Sequence, residues 1–506
     1  MPGGAAWASS SFTYCVGGLN VLNAIAGAYA EKSPVVVISG APGRKDREKD
    51  PLLHHKVKTF ETQRRVYDEV TVASTVLLDE QTAASEIIRV VEAAIHHKRP
   101  VYIEVPYDIV DKPIPIPALQ HSDFSIQHSD EATLAAALEE TRTVLACAKQ
   151  PVILAGVELH RHNLIEPVLK FAESLNIPIA ADLLSKSVIA ESHPLYLGVY
   201  GGAMSSSLPC RDYVESADCV LMLGTFITDM SMGIYTAKLE RTRVILATTE
   251  QLRIHYHTYE DVQLPDYLAG LQNLAAQNQI ENRKSKIENP LPPFPFTHPN
   301  PHEEPRPLAH SELTNPLTMA SLLHILSLHL DENCCVISDV GDALFGAVGI
   351  RTARRAEFIA PAYYLSMGFA VPASIGVSMA APNLRPVVLV GDGAFQMTGT
   401  ELSTAVRLGL KPIIIILNND GFGTMRKIRD GSFNTTSRWN YGKICELIGG
   451  GNYVTAETKG QFDGALQSAM GSNTLTVIDA RLPRDDMSPQ LKNMTLEMAK
   501  LRRATT

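Results

Sequence analysis

Short apolar runs that end in glycine recur along the chain and predict the strands of buried parallel sheets. Three such runs are residues 34–40, 151–156 and 386–393. Continuous runs of Val, Ile and Leu are typical of parallel strands that are covered on both faces. In the middle of the chain the run at 151–156 gives a predicted strand at 152–155, and further strands are predicted at 177–181, 220–223 and 244–247. They alternate with amphipathic stretches such as 164–175, a pattern that predicts βαβ units and an α/β fold.

Two proline-rich segments divide the chain. The first follows the predicted strand 101–105, and the second spans 277–316, where nine of the 27 residues from 290 to 316 are proline. Proline cannot donate to a sheet and breaks helices, so the second segment is predicted to be an extended linker. The predicted domains are therefore 1–115, 130–276 and 317–490, and the first is the smallest.

Composition and charge narrow the function. Of 506 residues, 45% are hydrophobic and 20% are charged, which is typical of a soluble globular protein. The net charge of −9, without a long basic run, argues against binding to nucleic acid or to an anionic membrane. Seven scattered cysteines without CxxC spacing indicate neither a zinc site nor a disulfide framework. We expect no signal peptide and a cytoplasmic location, because the first thirty residues lack a basic segment followed by an apolar one.

Candidate ligand-binding residues follow two predicted strands of the last domain, at the point where each strand ends. Strand 387–390 leads into Gly391-Asp392-Gly393, and strand 413–417 leads into Asn418-Asn419. Neighbouring parallel strands would place Asp392 and Asn419 at one sheet edge, and this sparse oxygen set suits Mg²⁺, which keeps positions for phosphate oxygens and water. The flanking glycines let the backbone approach an anion, so a diphosphate held through Mg²⁺ is the predicted ligand. A turn is expected after the glycines, with a capping box at 398–401 opening the next helix.

Gly-Asp-Gly alone is a common turn, but here 24 residues separate Gly393 from Asn418 and each half follows an apolar strand. This spacing is that of the thiamine-diphosphate-binding motif. The chain resembles the pyruvate decarboxylase group of thiamine-diphosphate enzymes, and most of all the indolepyruvate/phenylpyruvate decarboxylases. The resembling segments are 26–43, 52–55, 363–372 and 391–399. The resemblance implies three doubly wound parallel-sheet domains: a pyrimidine-binding one, a middle Rossmann-like one and a diphosphate-binding one. It also implies a homodimer or homotetramer with thiamine diphosphate and Mg²⁺ at the subunit interface. The middle domain contains no Gly-x-Gly-x-x-Gly, so we expect it to be a scaffold.

The resemblance also assigns roles to individual residues. Asp392, the Asn419 side chain and the Gly421 carbonyl would bind Mg²⁺. Met367 would wedge the cofactor into a V shape, and the Leu365 carbonyl would accept a hydrogen bond from its 4′-amino group. Further expected cofactor contacts are Asp342, Gly391, Asp392, Gly393, Ala394 and Asn419. His54 and His55 match the paired histidines that stabilise and relay protons in the decarboxylases. Without this context, Met367 would be interpreted as a core residue and the His pair as a solvated turn.

Two features depart from the family pattern. The glutamate that activates the cofactor lies upstream of the region matched by Thr13 and Tyr14, and here no acidic residue precedes Glu31. We therefore expect the chain to start inside the first domain and to leave that domain incomplete. Three explanations stay open: a truncated gene model, a degenerate non-catalytic paralogue, and a subunit complemented by a full-length partner. The acidic residue that several members carry after Asn-Asn is also absent, with Gly423 and Met425 at the candidate positions.

The expected activity is the non-oxidative decarboxylation of an aromatic 2-keto acid, phenylpyruvate or indolepyruvate, to an aldehyde and CO₂. One alternative, favoured by Gly423, is a benzoylformate-type decarboxylase or carboligase. The other is a non-catalytic cofactor-binding subunit that lacks the activating glutamate.

Overall fold

The computed structural model describes residues 8–115, 128–276, 293–295, 306–351 and 357–505. Within these ranges the chain forms three sheets flanked by helices, and the predicted α/β class is confirmed. The chain divides into two compact units, Met1–Gln127 and His128–Thr506. Most of the proline-rich segment predicted at 277–316 lies outside the described residues.

The first unit contains a four-stranded parallel sheet. Its elements are β1 (Ala8–Phe12), α1 (Leu22–Ala30), β2 (Val35–Ala41), α2 (Arg44–Lys49), α3 (Thr62–Asp68), β3 (Ala73–Val76), α4 (Ala83–His97) and β4 (Val101–Pro106). The strand order is β1-β2-β4-β3. Helix α4 buries one face, including Val90 and Ala94, against the sheet residues Val36 and Ile103. Its amphipathic pattern is thus explained by this contact.

The second unit begins with a seven-stranded sheet, called here the middle sheet. Its elements are α5 (Glu131–Cys147), β5 (Pro151–Ala155), α6 (Val157–Arg161), α7 (Ile165–Leu175), β6 (Ile179–Ala181), β7 (Tyr196–Val199), α8 (Leu208–Ser216), β8 (Cys219–Leu223), β9 (Val244–Ala247), β10 (Leu252–Ile254), β11 (His257–Tyr259) and α9 (Leu264–Ala276). The order is β11-β10-β9-β8-β5-β6-β7, parallel except that β10 runs antiparallel to both of its neighbours.

The chain itself fills the point in the middle sheet where the strand order reverses, between β5 and β8. A Cβ added at Gly156 would lie 2.1 Å from the Gly224 carbonyl oxygen, so the two loops are in direct contact. Beside them, the fully buried Glu158 accepts hydrogen bonds from the amide and the hydroxyl of Thr249, both at 2.7 Å. In open α/β sheets this crevice is the usual ligand site. Here a side chain of the protein occupies it.

The second unit continues with a six-stranded parallel sheet, called here the C-terminal sheet. Its elements are α10 (Met319–His329), β12 (Cys334–Ser338), α11 (Asp342–Ala347), β13 (Glu357–Ile359), α12 (Ala370–Ala380), β14 (Arg385–Gly391), α13 (Asp392–Thr398), α14 (Leu402–Arg407), β15 (Ile413–Asn418), α15 (Gly423–Arg426), α16 (Ile444–Ile448), β16 (Asn452–Ala456), α17 (Lys459–Gly471), β17 (Thr476–Arg481) and α18 (Pro489–Thr505). The order is β13-β12-β14-β15-β17-β16. Among all the helices just given, none combines the length and hydrophobicity needed to cross a lipid bilayer.

The two sheets of the second unit share one hydrophobic core. Side chains from the C-terminal part of the chain pack into the same buried cluster as residues of the middle sheet. They are Leu344, Phe345, Val348, Ala362, Leu491 and Met494. Helix α18 also lies against the short 3-10 helix Gly202–Met204 of the middle part. The middle and C-terminal regions therefore pack against each other through this shared cluster.

Candidate active site

The ends of β14 and β15 meet at the carboxyl edge of the C-terminal sheet. The two strands are parallel neighbours with Gly391 opposite Leu417, so the structure brings Asp392 together with the loop that follows β15. Asp392 is 1% exposed, and its two carboxylate oxygens accept hydrogen bonds from the amides of Gly393 (2.7 Å) and Gly421 (2.8 Å). Burial raises the pKa of Asp392 to about 6, although these two amides oppose the rise.

The loop after β15 is fixed by a buried arginine. The Arg426 guanidinium donates to the carbonyls of Asn419 (3.1 Å) and Asp420 (2.6 Å), and also to that of Arg484 (2.8 Å). Gly421 has a φ of +140°, and a Cβ added there would lie 2.0 Å from the Asn434 carbonyl oxygen. Only glycine fits this position, and in this conformation the Gly421 amide reaches Asp392.

The two glycines beside Asp392 differ in their surroundings. A Cβ added at Gly393 would lie 2.3 Å from the ring of Phe422, so the chain needs glycine there for its own packing. A Cβ added at Gly391 would meet no heavy atom of the described residues within 4 Å. Open space therefore lies directly in front of the Gly391 backbone, next to the buried carboxylate.

A tight turn carries Leu365 and Met367 near the ends of β12 and β14. Leu365 has a φ of +58° and donates its amide to the Pro361 carbonyl at 3.0 Å. The turn is held at its far end by Asp339, a fully buried carboxylate that accepts from the amides of Gly368 (3.1 Å) and Ala370 (2.9 Å). Met367 is 37% exposed, so it is not a core residue of this chain.

Helix α13 starts directly at Asp392, and the predicted turn and capping box at 398–401 are wrong. The Thr398 side chain does not cap a helix. Its hydroxyl instead donates to the Gly368 carbonyl at 2.9 Å and so fastens the Leu365–Met367 turn to α13. A tertiary hydrogen bond has replaced the local one that the Thr-x-x-Glu pattern predicts.

Asp342 is oriented towards the start of α18. Its carboxylate accepts hydrogen bonds from the amide of Ser488 (2.8 Å) and from the Ser488 hydroxyl. Burial raises the pKa of Asp342 to about 6. Both carboxylate oxygens thus have a partner within the chain.

In the first unit, His54 and His55 lie exposed in a turn, with ring centroids 4.7 Å apart. The turn is anchored on both sides. Leu53 packs against a small buried cluster that includes Phe60, and the Lys56 ammonium group donates to the Pro51 carbonyl at 3.1 Å. The backbone of the pair is held in place while both imidazoles remain accessible.

Comparison with known proteins decides the family. Residues 339–480 match the model of the thiamine pyrophosphate enzyme C-terminal TPP binding domain, and 138–268 match that of the central domain. Thiamine pyrophosphate is another name for thiamine diphosphate. Over 487 residues the chain is 33% identical to the indole-3-pyruvate decarboxylase of Azospirillum brasilense, covering 95% of this chain and 85% of that protein. The chain belongs to the thiamine-diphosphate-dependent 2-keto-acid decarboxylases.

This decarboxylase also has plant relatives. It is 29% identical to pyruvate decarboxylase 4 of Arabidopsis thaliana, over 95% of its own length and 79% of that relative. It is 29% identical to pyruvate decarboxylase 1 of Pisum sativum, over 95% of its own length and 80% of that relative. The enzyme is thus a thiamine-diphosphate-dependent carboxy-lyase, and Mg²⁺ is the usual partner metal of its family.

The residues of the decarboxylase fit this cofactor. The open space in front of Gly391 allows a diphosphate to approach the backbone, and the buried Asp392 carboxylate beside it is an oxygen ligand of the kind that Mg²⁺ prefers. Within the described ranges, no group of three or more His, Cys, Asp or Glu side chains is placed to hold a metal. The candidate set contains one carboxylate, Asp392.

Some residues that shape the decarboxylase site were not identified from its sequence. Asp339 and Arg426 hold the two loops, and Phe422 packs against Gly393. Asp339 stands three residues before Asp342, and no local signal separates the two carboxylates. Arg426 looks like any arginine on the first turn of a helix, since its partners are backbone carbonyls brought together by the fold.

Proposed function

We propose that the protein catalyses the non-oxidative decarboxylation of an aromatic 2-keto acid, phenylpyruvate or indolepyruvate, to an aldehyde and CO₂. The observation that carries this proposal is the buried Asp392 carboxylate, joined to the 419–421 loop beside the open face of Gly391. The aromatic substrate is supported by the similarity to the indole-3-pyruvate decarboxylase of Azospirillum brasilense.

In this proposal the C-terminal sheet edge holds the diphosphate and its metal. Asp392, the Asn419 side chain and the Gly421 carbonyl would bind Mg²⁺, and the backbone around Gly391, Gly393 and Ala394 would face the phosphates. The cofactor supplies an electron sink for cleavage of the bond to the carboxylate. The chain's own task is to hold that group in one orientation, which the arginine-fixed loop supports.

The turn at Leu365 and Met367 would orient the cofactor rings. The left-handed backbone of Leu365 is fastened on one side by Pro361 and on the other by Asp339 and Thr398, so its carbonyl has a fixed direction. A fixed acceptor is what orientation of an amino group requires. The exposed Met367 thioether supports its proposed role as an apolar wedge. Asp342, four residues after the buried end of β12, is retained as a further proposed contact to the cofactor.

His54 and His55 would hold and move the proton that replaces the departing CO₂. Imidazole can both donate and accept a proton, as this step requires. Their exposed position on an anchored turn supports a role towards a ligand rather than in the core of the first unit.

An exposed apolar side chain after the 419–421 loop supports a substrate with an aromatic ring. Met425 on α15 is 50% exposed, whereas several family members carry an acid nearby. At position 423 a Cβ would lie 2.7 Å from the Asn419 amide nitrogen, so glycine leaves the proposed metal ligand undisturbed. A glycine there also keeps the benzoylformate-type alternative open.

We further propose a cytoplasmic homodimer or homotetramer with the cofactor at the subunit interface. Tyr363, Tyr364 and Met367 expose large apolar surfaces on one turn, which supports coverage by a cofactor and a neighbouring subunit.

The test is to supply the pure protein with Mg²⁺, thiamine diphosphate and one keto acid at a time, and to measure aldehyde and CO₂. We expect phenylpyruvate and indolepyruvate to exceed pyruvate and benzoylformate in kcat/KM. Asp392→Asn should abolish turnover, and the exposed Asp485→Asn should retain it. Bound cofactor without any aldehyde would support the non-catalytic subunit, while fastest turnover of benzoylformate would support the other alternative.

A further inference from the structure

The edge strand β13 of the C-terminal sheet is held from the middle region of the chain. β13 pairs with β12 on one side only, and the Phe358 amide points to the open edge. There it donates to the Ser187 hydroxyl at 3.1 Å. Ser187 is buried, so the hydroxyl takes the place of the missing neighbouring strand.

The residue before Ser187 strengthens this contact. The Lys186 ammonium group binds the Glu191 carboxylate at 2.6 Å and the Ile350 carbonyl at 2.8 Å, and it lies 5.9 Å from the Phe358 ring centroid. Lys186 and Glu191 are 5% and 8% exposed. A buried ion pair of this kind requires a defined geometry, so it fixes where the 186–191 loop meets the C-terminal part.

The strand so held leads directly into the turn at Leu365 and Met367. Between them Ala362 is 2% exposed, and Phe358 and Leu365 pack against the shared core, whereas Tyr363 and Tyr364 are exposed. Close-packed interiors transmit small shifts rather than absorb them. The position of β13 therefore sets one end of the turn, just as Asp339 sets the other.

We propose that Ser187, together with the Lys186–Glu191 ion pair, positions the turn that presents the Leu365 carbonyl and Met367 to the cofactor. This inference rests on the proposed function. It assigns the middle region a part in cofactor orientation that acts through β13 and the turn, without contact between these three residues and the cofactor.

The test compares the full-length variants Ser187→Ala and Ser187→Thr with the wild type. The readouts are the Kd of thiamine diphosphate with Mg²⁺ by calorimetry and the near-ultraviolet circular dichroism of the bound aminopyrimidine, which reports its tautomer. We expect Ser187→Ala to raise the Kd about tenfold, or about 1.4 kcal/mol, and to change the dichroism. Ser187→Thr keeps the hydroxyl and should restore both. Ser231→Ala is the matched control, since its buried hydroxyl accepts from the Thr228 amide elsewhere in the middle region.

Wild-type protein that binds no cofactor would overturn the proposed function together with this inference. A wild type that binds, with an unchanged Kd and spectrum for Ser187→Ala, would overturn the inference alone. Hydrogen exchange of the wild type gives a measurement that does not depend on a variant. Cofactor binding should slow exchange in both 357–368 and 182–191, with β11 as an unaffected reference. Protection of 357–368 without 182–191 would contradict the coupling.

Discussion

Gly391→Ala is expected to weaken cofactor binding at the candidate site without lowering the stability of the fold. Gly391 has a φ of −64° and a ψ of 152°, which alanine adopts without strain, and its Cβ would enter open space. Such a substitution stabilises proteins by about 0.4–1 kcal/mol through the unfolded chain. The protein without cofactor should therefore be at least as stable as the wild type.

The same methyl group would stand where we propose that the diphosphate approaches the backbone. Inserting a methyl into a filled contact costs about 1–3 kcal/mol, and about 1.4 kcal/mol corresponds to a tenfold change in affinity. The Kd of thiamine diphosphate with Mg²⁺ should therefore rise by about 5- to 150-fold. Gly421→Ala is the contrasting variant, because its Cβ would lie 2.0 Å from a backbone oxygen and should destabilise the protein even without the cofactor.

Two measurements decide the outcome. Without cofactor, the Tm of Gly391→Ala should equal or exceed that of the wild type, and the Tm of Gly421→Ala should be lower than both. Calorimetric titration should show the weaker binding of the cofactor by Gly391→Ala. An unchanged Kd for Gly391→Ala would refute the placement of the diphosphate. A loss of stability as large as that of Gly421→Ala would refute the open space itself.

Three further outcomes are expected. Asp339→Asn should lower the free energy of unfolding by about 1–3 kcal/mol. Both carboxylate oxygens accept hydrogen bonds from backbone amides, and in the variant an NH₂ group replaces one of these oxygens. Urea unfolding measures the loss, with the exposed Asp485→Asn as the control. Burial raises the pKa of Asp182 from 3.8 to about 7, so the folded chain holds the proton more tightly than the unfolded chain. The free energy of unfolding should therefore fall by up to about 4 kcal/mol as the pH rises between these values. The Tm of Asp182→Asn should depend less on pH across this range than that of the wild type, and an equal pH dependence would contradict the assignment. Replacing His54 and His55 by alanine should lower kcat by about 100-fold or more and leave the cofactor Kd unchanged, as measured by steady-state kinetics and calorimetry. A lower kcat together with a higher cofactor Kd would indicate a purely structural role.

The strands were predictable because their signal is local. The apolar runs predicted at 387–390 and 413–417 correspond to β14 and β15; β14 is longer by two residues at its start and one at its end, and β15 by one residue at its end. A buried parallel strand must be apolar on both faces, so its sequence alone is distinctive. The expected capping box at 398–401 failed for the opposite reason. Its threonine has a partner 30 residues away that no local pattern contains.

The site was predictable only in part. The juxtaposition of Asp392 with the 419–421 loop follows from strand order, since parallel neighbours end at one edge. The residues that fix this arrangement are a different case. Asp339 and Arg426 bind backbone groups of other segments. Because nearly every residue has the same backbone groups, the sequence does not indicate which of them will be bound. The role of Ser187 likewise depends on which strand happens to lie at the sheet edge.

The shared core of the second unit bears on how this chain can be recombined with its relatives. Residues 138–268 and 339–480 match separate family models, yet Phe345 and Met494 complete the buried cluster of the middle sheet. A chimera that exchanges only the central segment would pair two surfaces that were never selected together. Exchange of both segments with α18 would transfer the interface intact. In this chain the middle and C-terminal regions should therefore be exchanged together.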